Sequence, residues 1–357
     1  MRSKGPGSTE PNKPRLDLRS KRTRIRRDGP RIGQPLCDDG GVRVAFVGGT
    51  NFVGPVAVGL LTQAGHEVAV AHSGAHEDPG LGELEHLHAS RDELLAAGGL
   101  VERWRPDVLV DTFAGGATGE RAEATRDCAT RSGAQRIIVI SSIDVYQHAV
   151  DAGLADGSGI VAFPRDAIPL DESAPLRRGP YPGGSAEHDN VAMEQALHQA
   201  GNVVALRPGA IYGPHRDVRE WSLVRMIHQG VRRLNLPDGG GQVWHRVAVE
   251  RVGRAIVAAL EHAPEGFWAC NVVDPHDWTY AGLAGRIAEL LEWEWQPVRV
   301  AFSTTDHPWQ TAYPVLCSDH RLRDVLGVLE PDPEAALRET IEWLWANRER
   351  LDAPPAN

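Results

Sequence analysis

VRVAFVGGTNFVGPVAVGLLTQAG, residues 42–65, decides the fold of this chain. Its first six residues form a short β-branched apolar run, which predicts a buried strand. Apolar residues from Phe52 to Leu61 then recur at helical spacing, and Gly65 supplies a C-terminal stop. The glycine-rich segment between strand and helix would direct helix N-terminal amides and a partial positive charge toward an anion. The stretch therefore predicts a phosphate-binding turn.

Strands and helices continue to alternate up to about residue 215. HEVAVAH, RPDVLVDTF and RIIVISS are predicted strands, and RAEATRDCATRSGA and NVAMEQALHQAG are predicted helices. Strands that are apolar throughout and separated by helices are typical of a parallel sheet covered on both faces. We therefore predict the α/β class, with a doubly wound parallel sheet and a smaller C-terminal lobe that carries two further helices.

Composition excludes several classes of protein. No run of about 18 apolar residues is present, which argues against a membrane-spanning helix. The basic, polar N-terminal segment has no apolar core like that of a secretory signal. The four cysteines are scattered without CxxC spacing, so we expect neither a disulfide framework nor a structural zinc site. We predict a cytoplasmic protein with no metal site and no membrane partner.

Six segments together resemble one known family, the extended short-chain dehydrogenases/reductases of the NAD-dependent epimerase/dehydratase group. In chain order they are VAFVGGTNFVG, RPDVLVDTFA, RIIVISSIDVY, IPLDESAPLR, LRPGAIYGP and VAVERVGRAI. The resemblance covers about residues 41–348. It implies a seven-stranded Rossmann-type sheet, a bound NAD or NADP, and epimerase, dehydratase or reductase activity on a sugar or sugar-like hydroxylated substrate. The family habit also implies a homodimer.

The resemblance and the charge pattern divide the chain. Residues 1–32 hold eleven Lys or Arg against three acids, whereas the whole chain has a net charge of −10. We predict a basic, disordered tail over 1–40, because this segment lacks the apolar residues needed for a core. A dinucleotide-binding Rossmann domain is predicted over 41–215. The segment 216–350 is predicted to form mainly a substrate lobe with parts returning to the Rossmann domain, followed by a tail over 351–357.

The resemblance implies a set of cofactor contacts along the sheet edge. Asn51 takes the usual place of the middle glycine and tolerates positive φ better than most residues. An acid at the end of the second strand would favour NAD and an arginine would favour NADP. The chain has His72-Ser73-Gly74 there, so the choice stays open. The implied contacts are Gly48, Gly49, Thr50, Asn51, Phe52, Val53, Gly54, His72, Ser73, Phe113, Ala114, Gly115, Ser141 and Pro208.

The catalytic pattern of the family is interrupted. There, a Ser or Thr holds the substrate hydroxyl, and a Lys four residues after a Tyr lowers the pKa of that tyrosine. Ser142 matches the serine. Aligning Glu194 with the family's helix motif places Asn190 at the lysine position and Ala186 at the tyrosine position. No lysine follows Lys21, so the usual Tyr–Lys pair is missing.

Two residues are candidates for the proton transfer. His188 lies two residues before Asn190, and an unperturbed histidine has a pKa of about 6.5. Tyr181 lies nearby, but Ser185 stands four positions after it, and an unassisted tyrosine has a pKa of about 10. We predict that Ser142 orients a substrate hydroxyl and that either His188 or Tyr181 handles the proton.

Four residues are predicted to meet the substrate. His215 and Arg216 directly follow the IYGP segment. Trp244 stands where nucleotide-sugar enzymes of this family usually carry an arginine for the diphosphate, and Arg246 would substitute if the strand register differs.

These observations leave three functions open. The first is an NAD(P)-dependent enzyme acting on a hydroxylated small molecule. The second is a dinucleotide-binding regulatory protein without redox turnover. The third is an RNA-associated member of the family, in which the basic tail contacts nucleic acid. The acidic body argues against nucleic-acid binding by the folded part.

Overall fold

The computed structural model describes residues 41–113, 119–152, 165–179, 189–216, 218–301, 311–329 and 332–352. The predicted tail over 1–40 lies outside these ranges, as do residues 353–357 of the tail predicted over 351–357; Leu351 and Asp352 belong instead to a helix. The strands are β1 (Arg43–Val47), β2 (Glu67–His72), β3 (Glu85–His88), β4 (Val108–Asp111), β5 (Arg136–Ile140), β6 (Val203–Pro208), β7 (Ala210–Tyr212), β8 (Arg233–Pro237), β9 (Arg246–Ala248), β10 (Phe267–Val272) and β11 (Gln296–Val300).

Helices connect most of these strands. They are α1 (Val53–Gln63), α2 (Arg91–Leu95), α3 (Leu100–Trp104), α4 (Gly119–Ser132), α5 (Gln147–Ala152), α6 (Asn190–Leu197), α7 (Trp221–His228), α8 (Val249–His262), α9 (Tyr280–Leu290), α10 (His320–Asp324), α11 (Pro333–Ala346) and α12 (Arg348–Asp352). None of the helices in the described ranges has the length and hydropathy that crossing a membrane requires.

Seven parallel strands of the described chain form the central sheet, in the order β10-β6-β5-β4-β1-β2-β3. β1 lies in the middle, pairing Val44 with Val68 of β2 and with Val108 of β4. The strand order reverses at β1 and β4, which is where doubly wound sheets leave a crevice at their carboxyl ends. The predicted α/β class with a doubly wound Rossmann-type sheet is confirmed.

Alternation along β1 explains the two layers of helices. Val44 and Phe46 pack into the core that includes α1 and α8, whereas Ala45 and Val47 face the core built with α2, α3, α4 and α6. Successive side chains of a strand point to opposite faces, so an entirely apolar strand needs cover on both sides.

Residues beyond 215 contribute to two regions. β10 and α8 belong to the central sheet and its helical layer. A separate core contains residues from α7, α9 and α11, beside the two-stranded pairs β7–β9 and β8–β11. The domain boundaries given above stay predictions, but the chain does return to the sheet after its excursion into this second core.

The close contact of α1 with the turn before it predicts how two glycines differ. A Cβ on Gly54 would lie 2.3 Å from the carbonyl carbon of Gly49, so Gly54→Ala must push the helix away. We expect a loss of about 1–3 kcal/mol of unfolding free energy. A Cβ on Gly59 of the same helix meets nothing within 4 Å, so Gly59→Ala should stabilise the protein by up to about 1 kcal/mol.

Urea unfolding of both variants and the wild type measures this difference. A midpoint for Gly54→Ala that rises as much as that of Gly59→Ala would show that α1 does not depend on the close contact.

Candidate functional site

A cavity of ≈ 410 Å³ opens above the glycine turn, at the carboxyl ends of β1 and β2. Because parallel strands end at one edge, the segments that follow them meet there. Residues from the turn, from the end of β2 and from the segment after β4 line the cavity. Those among them that the sequence analysis predicts as cofactor contacts are Gly48, Thr50, Asn51, His72, Ser73 and Phe113.

The glycines of the turn are required by its geometry. Gly48 has a φ of 86°, and a Cβ there would lie 2.3 Å from the ring of Phe113. Gly54 touches the backbone of Gly49 in the way described above. Both contacts leave no room for a side chain, so the turn stays narrow and the start of α1 lies directly beside the end of β1.

The conformation of the turn differs from the sequence expectation at one position. Phe52, with a φ of 50°, adopts the left-handed conformation that the analysis associated with Asn51. Phe52 precedes α1 as its N-cap residue and makes no side-chain cap hydrogen bond. The first N–H groups of α1 therefore have no side-chain acceptor at the cap, which suits the binding of an anion.

Charged residues on the cavity wall were missed by the sequence analysis. Arg91 pairs with the buried carboxylate of Asp111 at 2.5 Å and donates to Thr125 Oγ1 at 2.9 Å. Asp92, which is exposed, and Arg121 also line the cavity. Arg121 makes no ion pair with any residue that the structure describes. Since Asp111 compensates Arg91, the uncompensated charges of the wall are Asp92 and Arg121.

The remaining predicted cofactor residues that the structure describes do not line this cavity. Gly49, Val53 and Gly54 are buried under the turn. Pro208 ends β6 and is buried. Ala114 and Gly115 lie outside the described residues.

A buried ion pair organises the end of β5. Glu194 of α6 accepts from Arg207 Nε at 2.9 Å and Nη2 at 2.6 Å, and from Ser141 Oγ at 2.6 Å. Glu194 and Arg207 are each 3% exposed. Burial acts to lower the pKa of Arg207, but its bonds with Glu194 hold that pKa above the usual value. Ser141, predicted as a cofactor contact, thus donates its hydroxyl hydrogen bond to Glu194.

Ser142 lies in a second polar group next to this pair. Its Oγ accepts from the backbone N–H of Asp144 at 3.1 Å. The side chain of Asn190, the residue at the lysine position, is buried and donates to Asp144 Oδ1 at 3.3 Å. Asp144 therefore connects the two positions, through its backbone N–H to Ser142 and through its carboxylate to Asn190. The SIDVY segment contains this aspartate, but nothing local shows that it reaches Asn190, 46 residues away.

Two buried tyrosines of the described chain, Tyr146 and Tyr212, donate hydrogen bonds from their phenols. Tyr146 donates to Asn271 Oδ1 at 2.6 Å, and Tyr212 donates to Asp274 Oδ2 at 2.8 Å. Burial raises the pKa of both phenols above the usual tyrosine value. Tyr181 and His188, the two predicted proton-transfer residues, lie outside the described ranges.

The four predicted substrate residues do not form one group. His215 and Arg216 are exposed after β7, with the Arg216 guanidinium 5.8 Å from the ring of Phe52. Trp244 is 7% exposed and packs in the second core. Arg246 is 2% exposed and pairs with Glu220 at 2.9 Å and Asp277 at 2.7 Å, so its charge is already compensated.

His72 lines the cavity and also faces two other histidines. Its Nε2 lies 2.7 Å from His86 Nδ1 and 3.0 Å from His88 Nε2. Burial lowers the pKa of His72 below the usual histidine value, although Glu77 opposes this effect. This contact is hard to predict from the sequence, because β3 is a four-residue strand with too little apolar content to be recognised as a strand.

The sequence of this chain matches a known protein family over most of its length. Residues 44–271 match the NAD dependent epimerase/dehydratase family. No curated protein matches the chain significantly.

Solved epimerase structures share the fold at low sequence identity. A UDP-glucose 4-epimerase from Thermotoga maritima, solved with UDP-glucose, superimposes with a TM-score of 0.65 at 17% identity, covering 87% of this chain and 100% of that one. An epimerase from Methanothermobacter thermautotrophicus gives 0.65 at 20% identity, covering 87% and 94%. A UDP-glucose 4-epimerase from Bifidobacterium longum, in complex with NAD⁺ and UDP, gives 0.65 at 15% identity, covering 86% and 99%. At these identities the likeness shows the fold alone.

The buried pair at the end of β5 predicts a large effect of one neutral substitution. Glu194→Gln removes the carboxylate that compensates Arg207 and leaves a buried guanidinium without a counter-charge. We expect a loss of about 3–5 kcal/mol of unfolding free energy. As a matched control, Glu250→Gln breaks the exposed pair with Arg254, in which both side chains are 56% exposed, and should cost less than about 1 kcal/mol.

Urea unfolding of both variants measures the difference. Equal losses would mean that the Glu194–Arg207 pair does not stabilise the end of β5.

Proposed function

Because the chain belongs to the NAD-dependent epimerase/dehydratase family, we propose that it is an enzyme that binds NAD over the Gly48–Gly54 turn and acts on a sugar-like hydroxylated substrate. The observation that carries this proposal is the ≈ 410 Å³ cavity above that turn, where the ends of β1 and β2 meet. When bound, the dinucleotide would accept a hydride from a substrate carbon and can return it.

The residues of the turn fit a pyrophosphate. Gly48 must be glycine because a Cβ there would meet Phe113 and Thr112, and this residue lines the cavity. The N-terminus of α1 lacks a side-chain cap and adds the positive end of its dipole. Both features favour a bound phosphate group at the same place.

The adenosine end of the cavity favours NAD over NADP in this proposal. NAD carries two free ribose hydroxyls, which need an acceptor, whereas the 2′-phosphate of NADP needs an uncompensated cation. Asp92 on the wall offers a carboxylate, and Asp111 compensates the charge of Arg91. Arg121 is the remaining cation of the wall within the described ranges, and its charge would favour NADP instead. We assign the ribose hydroxyls to Asp92.

Ser142 is the proposed substrate-binding residue. Its Oγ accepts from Asp144 N–H, and its hydroxyl proton has no acceptor among the residues that the structure describes. It can therefore donate to a substrate oxygen at the carboxyl end of β5, on the same edge of the sheet as the cavity. Ser142 would hold and orient the hydroxyl on the substrate carbon that gives up the hydride.

Three residues are candidates for moving the proton of that hydroxyl. His188 and Tyr181 stay in the proposal from the sequence, and Asp144 is added because its backbone N–H contacts Ser142 and its carboxylate contacts Asn190. A histidine or a carboxylate can act near neutral pH without a neighbouring cation. A tyrosine would need the positive charge that Asn190 does not provide.

A second function is favoured by Asn190 itself. A neutral, buried amide stands at the position of the family's lysine, and it would leave dinucleotide binding intact while removing redox turnover. The chain would then be a dinucleotide-binding regulatory protein. Binding and turnover experiments together distinguish this function from the first.

Cofactor preference is the first test. Asp92→Asn should weaken NAD binding about tenfold, because a hydrogen bond to a charged group contributes about 1.5–3 kcal/mol. It should not weaken NADP binding, since the substitution removes a negative charge that repels the 2′-phosphate. Asp127→Asn, a change of an exposed aspartate on α4, is the matched control and should leave both affinities unchanged.

Calorimetric titration of the wild type and both variants with NAD and with NADP gives six affinities. Tighter binding of NADP than of NAD by the wild type would contradict the assignment of Asp92.

Turnover is the second test, with UDP-glucose as the first member of a panel of nucleotide sugars and free sugars. Ser142→Ala should lower kcat by about 100-fold or more, because a positioned hydrogen-bond donor contributes that much at a reacting oxygen. Ser132→Ala, at the far end of α4, should leave kcat unchanged. A kcat for Ser142→Ala equal to that of the wild type would remove Ser142 from the mechanism.

The pH profile of the rate identifies the base. A histidine gives a rate that rises through about pH 6–7, a carboxylate is already ionised by about pH 5, and an unassisted tyrosine is still gaining rate above about pH 9. His188→Ala, Asp144→Asn and Tyr181→Phe then test each residue separately. Bound NAD without turnover on any member of the panel would favour the regulatory function.

A further inference from the structure

Four ligand-type side chains converge at the edge of the sheet beside the cavity. They are His72 at the end of β2, Glu77 in the loop that follows, and His86 and His88 on β3, and their ligand atoms all lie within 4.8 Å of one another. We propose that these four residues bind a divalent transition-metal ion, Zn²⁺ by its chemistry. The proposal is independent of the function proposed above.

The strand register brings the histidines together. β2 and β3 pair in parallel, with His72 opposite His88 and Val70 opposite His86. Residues two apart in a strand point to the same face, so His86 and His88 face the same side of the sheet. Leu87, between them, is buried in the core on the other face. The His-Leu-His sequence therefore places one side chain in the core and two imidazoles on the opposite side.

Hydrogen bonds alone do not account for both close contacts of His72 Nε2. His72 Nε2 lies 2.7 Å from His86 Nδ1 and 3.0 Å from His88 Nε2. A ring nitrogen of a neutral imidazole holds either one proton or one lone pair, so His72 Nε2 can form a hydrogen bond with only one of these partners. The other close nitrogen–nitrogen contact needs a different explanation, and a cation bound by all three rings supplies it.

The carboxylate completes the ligand set. Glu77 oxygens lie 3.2 Å from His88 Nε2, 3.7 Å from His86 Nδ1 and 3.8 Å from His72 Nε2. With metal–ligand bonds of about 2.0–2.2 Å, tetrahedral ligands stand about 3.3 Å apart, and the separations in this cluster fall on both sides of that value. Three imidazoles with one carboxylate are a donor set typical of Zn²⁺.

A neighbouring carbonyl orients one of the rings for metal binding. His86 Nε2 lies 3.0 Å from the backbone oxygen of Leu81, so the proton sits on Nε2 and the lone pair of Nδ1 faces the cluster. Metal-binding histidines commonly donate their second N–H to such an acceptor. His72 Nδ1 instead accepts from Gly74 N–H at 3.2 Å, and this contact must open when Nε2 binds the ion.

The ion would link the cluster to the cavity. Four protein ligands fill a tetrahedral zinc, which is the arrangement of structural rather than catalytic sites. Glu77 belongs to the loop whose Ser73, Ala75 and His76 line the cavity. Binding would therefore attach that loop to β3 and hold one wall of the cavity.

Zinc binding to the full chain tests the proposal, after the protein has been stripped with a chelator and dialysed. Calorimetric titration with Zn²⁺ should show one equivalent per chain. His88 and Glu77 are 53% and 52% exposed, so His88→Ala and Glu77→Gln should fold normally. Each should weaken Zn²⁺ binding by more than about tenfold, because even residues outside the ligand set change metal affinity by about 10- to 100-fold. His276→Ala, an exposed histidine elsewhere, is the matched control and should bind as the wild type does.

Substitution with Co²⁺ gives a second measurement. The intense visible absorption of tetrahedral cobalt should be present in the wild type and in His276→Ala and absent in His88→Ala. No stoichiometric Zn²⁺ binding by the wild type, or equal affinities in all four proteins, would overturn the proposal and leave a hydrogen-bonded histidine cluster only.

Discussion

The contact between Gly54 and the backbone of Gly49 is the constraint on which the rest of the site depends. With no side chain between them, α1 begins directly beside the carboxyl end of β1, the central strand of the sheet. The same helix packs closely on α8 through Gly253, where a Cβ would lie 3.0 Å from Val56. The position of the helix N-terminus, and with it the floor of the cavity, is thus set by backbone contacts on both sides of α1.

Arginine supplies the buried positive charge throughout the described chain. Arg207, Arg246 and Arg251 are each paired with at least one carboxylate, and each is at most 3% exposed. A guanidinium is a planar group with five donors, so it can satisfy two partners at once in a way that a compact ammonium does not. These arginines are committed to the core. Arg207 also donates to Tyr146 Oη at 3.0 Å, but burial raises the pKa of that phenol above the usual tyrosine value.

The pairing of Arg207 with Glu194 limits the chemistry that the end of β5 can support. Glu194, which aligns with the family's helix motif, accepts hydrogen bonds from Arg207 and Ser141. Asn190, at the lysine position, donates a hydrogen bond to Asp144. In the function that we propose, the sheet edge holds a dinucleotide but lacks the Tyr–Lys pair with which the family ionises a tyrosine. Proton transfer in such a site depends on groups that ionise near neutral pH by themselves.

The local sequence pattern predicts much of this fold. The β-branched run before Gly48 and the helical spacing after it gave β1 and α1 within one or two residues of their observed bounds. The apolar run at 136–142 became β5, which ends at Ile140. Such segments are predictable because burial on one or both faces repeats with the period of the element itself. The missing Tyr–Lys pair was also visible from the sequence, because no lysine follows Lys21.

Contacts between distant segments required the tertiary structure. Sequence alone did not show that Phe52 rather than Asn51 takes positive φ, or that Arg246 is enclosed between Glu220 and Asp277. It did not show that Asp144 reaches Asn190, or that His72 meets two histidines of β3. Each of these depends on which strands are neighbours and in what register they pair. The sequence by itself determined the elements and the phosphate-binding turn, because their signals are local. Only the folded chain decided which charges are compensated and which ligands converge, because those depend on distances between segments that no local period encodes.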